Sequence, residues 1–120
     1  MNSYTDLIVW QKAVDLSVKI YKITERFPKS EVYGLTSQIR RCAVSIPSNI
    51  AEGQRRGHNQ EQLQFTRIAY GSGAELETQL LIARKVGYLN EKNYLVRFLS
   101  LDEVMRMTNR LISSFLRSKV

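Results

Sequence analysis

The 120-residue sequence carries one cysteine, one histidine, one tryptophan and only two prolines. A lone Cys42 rules out any disulfide within the chain, and a reduced, cytoplasmic setting fits that usage. A lone His58 excludes the twin Glu-x-x-His sites of di-iron helical proteins within one chain. With no second cysteine, zinc-type ligand spacing is missing as well. No apolar segment approaches the roughly 20 residues that span a bilayer. The opening MNSYTDLIVWQKA has neither the basic start nor the long apolar run of a secretory signal. The expectation is a protein that is neither secreted nor membrane-spanning. Period-two alternation, internal repeats and low-complexity segments are absent too, which leaves helices as the building material.

Catalytic constellations are equally scarce. Gly71, Ser72 and Gly73 have the look of a phosphate loop, but Leu76 stands where a third glycine would be, no strand precedes them and no Walker-type lysine follows. Glu52, Glu75 and Glu77 lack the histidines that would complete a metal site. No nucleophile, base and orienting acid can be assigned together. The reading is therefore a non-enzymatic protein with no cofactor and no metal.

What is present is an ordinary globular composition, 43% hydrophobic and 24% charged, in a chain long enough for one domain spanning residues 1–120. The net charge of +7 invites polyanions, yet acidic and basic residues are interspersed and no solid basic run occurs.

The stretch from Gln38 to Arg56 organises the chain. Leu35, Ile39, Cys42, Ile46, Ile50 and Gly53 recur at steps of three and four, one face of a helix. Beside them runs a polar row, Gln38, Arg41, Ser45, Asn49 and Glu52. Polar groups at the edge of a core are costly unless paired, so this row predicts a hydrogen-bonded network between helices or between subunits, with Glu75 paired to Arg40 or Arg41. Pro47 inside the pattern removes one amide donor and predicts a bend.

Around that stretch the spacing predicts three further helices. The first runs over 8–26 and buries Val9, Ala13, Leu16, Ile20, Ile23 and Phe27, with Trp10, Val14 and Tyr21 as a second apolar row. The third starts after Asn59 as cap, with Gln62 completing a capping box, and reaches Val86 before Gly87. It buries Phe65, Ala69, Gly73, Leu76, Leu80 and Ala83, and close packing is expected to compensate for both Gly71 and Gly73. A further row, Leu63, Tyr70, Ala74 and Leu81, has no use in a monomer and, with Trp10, Val14 and Tyr21, supplies the candidate oligomer interface. The fourth, capped by Asn90, runs to Arg117. It turns Tyr94, Phe98, Leu101, Met105, Ile112 and Phe115 inward and Arg106, Arg110 and Arg117 outward. Four helices with short connections make an all-α, antiparallel up-and-down four-helix bundle.

VWQKA at 9–13, FPKSEVYGL at 27–35, QIRRCAVSIPSNIAEG at 38–53 and IAYGSGAELETQL at 68–80 resemble, in order, the family named for the 23S ribosomal RNA intervening sequence. Cys42, where alanine is expected, is a conservative departure. That family is similar to the accessory variability determinant (Avd) of diversity-generating retroelements, a basic pentameric barrel that works with a reverse transcriptase and RNA. The resemblance implies a left-handed four-helix bundle assembled as a ring, a homopentamer, with nucleic-acid binding. It implies no settled biochemical activity.

Candidate nucleic-acid contacts are Arg55, Arg56 and His58 at the turn between the second and third helices, and the stripe Arg106, Arg110 and Arg117. Their plain alternative is a solvated basic face. Two functional classes follow: a nucleic-acid-binding accessory protein, with RNA or DNA and a reverse transcriptase as possible partners, or an oligomeric scaffold that binds another protein.

Overall fold

A computed structural model of the chain describes residues 3–117; Met1, Asn2 and residues 118–120, which the single expected domain includes, lie outside the described residues. The fold is all-helical, with α1 (Ile8–Thr24), α2 (Leu35–Arg56), α3 (Asn59–Lys85) and α4 (Glu91–Arg117). Short 3-10 turns at Tyr4–Asp6 and Lys29–Glu31 lead into α1 and α2, and no strand occurs among the described residues. The principal extents are 48 × 22 × 20 Å. That long axis is close to the roughly 40 Å expected of the longest helices at about 1.5 Å per residue.

Local chemistry sets the helix ends. Gly57 (φ 78°) follows α2 and Gly87 (φ 91°) follows α3, each in the left-handed region that stops a helix. Asn90 Oδ1 accepts the Asn93 N–H at 2.7 Å and caps α4. The first helix stops at Thr24, short of the expected Arg26. There the Lys22 and Thr24 carbonyls take the Glu25 and Phe27 N–H groups in tightened turns ahead of Pro28. The start of α3 also differs from expectation. His58 is the extended residue before the helix, so Asn59 is already its first helical residue, and its amide crosses to the Phe115 carbonyl at 3.0 Å.

The core is a stack of rows at helical spacing. It takes Leu16 and Ile20 from α1, Ile39, Ile46 and Ile50 from α2, Leu76 and Leu80 from α3, and Leu101 and Val104 from α4. Each contributes about 1.5–3 kcal/mol by leaving water. Phe27 and Leu89 close this core, and a smaller cluster of Leu63, Ile112 and Phe115 lies apart from it. The α4 seam also runs through Val104, three residues on from Leu101, and through Thr108, which apolar periodicity passes over. Thr24, Thr66 and Thr108 are buried without penalty because each hydroxyl donates to the carbonyl four residues back, at 2.6–2.7 Å.

Pro47 lies inside α2, which continues through it as one helix. It has no N–H for the Ala43 carbonyl, and the buried Ser17 hydroxyl of α1 donates to that oxygen instead at 3.0 Å, shared with the Ala13 carbonyl at 2.9 Å. A proline in one helix is thus matched by a serine in the next. The two mid-helix glycines of α3 differ. A Cβ on Gly73 would run into Met105 Sδ, so there the close approach is real, whereas one on Gly71 would meet nothing within 4 Å.

Candidate functional site

The polar row of α2 divides between two neighbours. On the α1 side, Arg40 is held by neutral partners: Nε donates to Thr24 Oγ1 (2.8 Å), Nη2 donates to the Tyr21 carbonyl (3.2 Å), and the guanidinium lies 4.6 Å over the Tyr21 ring. On the α3 side, the Asn49 amide donates to the Ser45 carbonyl (2.8 Å) and Oγ (2.9 Å), and Ser45 Oγ bonds Ser72 Oγ at 2.8 Å. Ser72, considered above only within the phosphate-loop look-alike, is a small buried hydroxyl between two glycines that faces Ser45 across the α2–α3 seam.

The remaining members of the row do not join either group. Gln38, Arg41 and Glu52 are exposed. Arg41 Nη2 donates to Ser37 Oγ at 3.1 Å, and Glu52 pairs with Arg56 at 3.3 Å. Glu75 corrects the expectation most sharply. It is exposed, it accepts from the Cys42 thiol at 3.8 Å, and among the described residues no ion pair joins it to Arg40 or Arg41. The α2–α3 packing turns it outward, past the arginines. Burial is the main cause pushing the Cys42 thiol above its ordinary pKa, with Glu75 adding to it, so Cys42 stays a protonated, poorly nucleophilic group.

The candidate interface residues also separate. Leu63 is buried in the small cluster with Ile112 and Phe115, so it belongs to the chain's own packing. Trp10 is half-buried against the main core and meets Tyr4 edge-on at 5.3 Å. Tyr21, Tyr70, Ala74 and Leu81 are exposed. Val14 lines a hollow of ≈ 440 Å³ between α1 and α2, together with Ser17, Val18, Tyr21, Val44 and Pro47. It adjoins a cleft of ≈ 560 Å³ that also touches Tyr21 and Val44 and is lined by Thr36, Arg40, Arg41 and Ser48 but no carboxylate. Thr36 Oγ1 is buried and has no hydrogen-bond partner.

The six candidate nucleic-acid contacts are all exposed. Arg56 pairs with Glu52 and Glu61 (3.2 Å) and lies 4.9 Å over Phe65, and Arg106 pairs with Asp102 at 3.2 Å. Arg55 and Arg110 make no ion pair among the described residues. The Asn59 to Phe115 bond ties the α2–α3 turn, which carries Arg55, Arg56 and His58, to the end of α4 near Arg117. Among the described residues no three His, Cys, Asp or Glu side chains converge as a metal-ligand group, and no helix is long and apolar enough to cross a membrane.

A profile described as 23S rRNA-intervening sequence protein matches residues 5–110, nearly the whole of this arrangement. The chain belongs to that family. A solved structure from Bacteroides thetaiotaomicron, described as a protein with unknown function from the S23 ribosomal protein family, superposes with a TM-score of 0.79 at 21% identity. The match covers 88% of this chain and 98% of that one, and at this identity the shared property is the fold. Comparison with curated proteins gives no match.

Proposed function

We propose that this member of the 23S rRNA-intervening sequence family is a non-enzymatic, cytoplasmic RNA-binding protein that works as a homo-oligomer. The proposed protomer is a single-domain, antiparallel up-and-down, left-handed bundle. Contacts of Ser17 with Ala43 and of Thr24 with Arg40 support opposed directions for α1 and α2. The homopentamer and the likeness to the retroelement accessory protein rest on the sequence resemblance.

The observation that carries the RNA reading is that Arg55 and Arg110 are exposed and make no ion pair among the described residues, on a chain of net charge +7. Phosphate attraction of this kind is sequence-independent, falls steeply with salt, and sums over the copies of a ring. A mobility shift with a single-stranded RNA at one fixed salt concentration tests it. Arg55→Gln/Arg110→Gln weakens the shift while leaving melting temperature and oligomer mass unchanged. Full affinity in that variant removes these two residues from the reading. The second reading, a scaffold for another protein with no nucleic-acid role, is favoured by the apolar hollow between α1 and α2, and absence of any RNA shift at low salt by the parent selects it.

A further inference from the structure

Two sets of charges in this chain lack the partners their surroundings call for. Arg40 is half-buried and fixed in place, yet every group that holds it is neutral, and its cleft with Arg41 contains no carboxylate. Glu25 and Arg40 both line a second, neighbouring hollow, but among the described residues no ion pair joins them. Glu75, on α3, has an exposed carboxylate that makes no ion pair among the described residues. A charge held rigidly without a counter-charge is a ready half of an intermolecular pair, because the entropy of ordering it has already been lost within the fold.

We propose that the α1–α2 groove of one copy receives α3 of a second copy, with Glu75 meeting Arg40 and Arg41 while Ile68 or Ile82 enters the apolar hollow. This rests on the homo-oligomer reading above and names the two faces that would make it. The spacings match. On α2, Pro47 of the hollow stands seven residues from Arg40, and on α3, Glu75 stands seven residues from both Ile68 and Ile82. Seven residues are two helical turns, about 10.5 Å, on either side of the contact.

The surfaces are complementary in character too. Ile68 and Ile82 are each 45% exposed, with only Gly71, Glu75 and Thr78 between them along that ridge. Gly71 has open space around it, so a neighbouring helix can come close. An acid flanked by isoleucines thus faces two arginines beside a valine-lined hollow. The groove and the ridge are different surfaces of one chain, so where the contact repeats head-to-tail each copy keeps one free half to pass on. Such contacts close into rings when the rotation allows.

Light scattering on the full chain, before and after nuclease treatment, reads the mass of the parent, of Glu75→Arg, of Val44→Asp in the hollow, of Arg40→Glu/Arg41→Glu, and of the variant combining that pair with Glu75→Arg. Circular dichroism checks that each is folded. The expected result is an assembled parent, monomeric Glu75→Arg, Val44→Asp and Arg40→Glu/Arg41→Glu proteins, and recovery of mass in the combined charge swap. Val44→Asp keeps the groove tested even where loss of the internal Arg40 bonds unfolds the double variant. A monomeric parent overturns the oligomer reading and this one with it. An assembled parent whose Glu75→Arg and Val44→Asp variants keep full mass overturns the docking alone. A parent that dissociates on nuclease treatment shows RNA joining the copies, and a combined variant that stays monomeric rejects the Glu75–arginine pairing; either result overturns the proposal.

Discussion

Glu31 ties the two connectors at one end of the molecule together. Its Oε1 accepts the Leu35 N–H at the start of α2 (3.0 Å) and its Oε2 accepts the Tyr88 hydroxyl from the α3–α4 turn (2.8 Å). The Leu35 N–H first, and the Tyr88 hydroxyl second, hold this carboxyl below its ordinary pKa against an opposing effect of burial, and the same bond raises the Tyr88 phenol. A depressed carboxylate stabilises the fold above its unfolded-state pKa, and that contribution is lost as pH falls through the depressed folded value. The raised phenol contributes below the ordinary tyrosine pKa and loses its share as pH rises through the raised value. Urea midpoints measured across the acid range are expected to fall less steeply for Glu31→Gln than for the parent, and an identical pH dependence would show that neither bond persists in solution. Glu75, by contrast, is exposed and outside any ion pair, so Glu75→Ala is expected to change protomer stability by no more than about 0.5 kcal/mol.

Helix α2 depends on its neighbour for a bond that its own backbone cannot make. Ser17→Ala leaves the Ala43 carbonyl buried and unpaired and is expected to cost about 1–3 kcal/mol. In a Pro47→Ala background the restored amide takes over that carbonyl, so the same serine change costs less there. A double-mutant cycle by urea unfolding measures the coupling, and strict additivity would mean that the serine acts only within α1. The glycines of α2 and α3 give a second test. An alanine Cβ at Gly53 would lie 3.1 Å from Phe65 Cβ and 3.3 Å from the Gln62 Cα, a backbone atom that cannot swing aside. Overpacking of this kind costs about 1–3 kcal/mol and outweighs the helix-propensity gain of about 1 kcal/mol. Gly71→Ala meets open space and keeps that gain. Thermal melts of the dissociated protomer, in a Val44→Asp background, are therefore expected to move down for Gly53→Ala and up for Gly71→Ala.

Over the whole molecule, the arginines differ by what already neutralises them. Arg56 and Arg106 are attached to carboxylates, whereas Arg55 and Arg110 are not. A phosphate competing for Arg56 or Arg106 has to displace an acid that is already there, so Arg55→Gln/Arg110→Gln is expected to weaken RNA binding more than Arg56→Gln/Arg106→Gln. Each lost phosphate contact should also flatten the log affinity against log salt plot by about 0.7 for a single strand. Equal losses from the two pairs would show that the ion pairs open freely in the complex. The same logic applies between copies, where the unpaired Arg40, Arg41 and Glu75 are the charges left for a neighbour.

The four helices, most of their ends to within two residues, and most of the buried rows were legible in the sequence, because they depend on interactions between residues three and four apart and on caps such as Asn90. The membership of the family was legible for a related reason: its motifs are runs of neighbouring residues, and the matching profile spans 5–110. Partners across helices were not. That Ser17 serves Ala43, that Ser45 bonds Ser72, and that Arg40 turns to Thr24 and Tyr21 and away from Glu75 all depend on how far each helix is rotated about its axis. Leu63 shows the same limit, since its row on α3 gave no sign that Ile112 and Phe115 cover it. Periodicity defines a face to within an arc of the helix circumference, and a side chain at the edge of that arc falls on either side of the groove. Only the packing of all four helices at once decides which side, because the rotation that buries the most apolar surface is a property of the whole core.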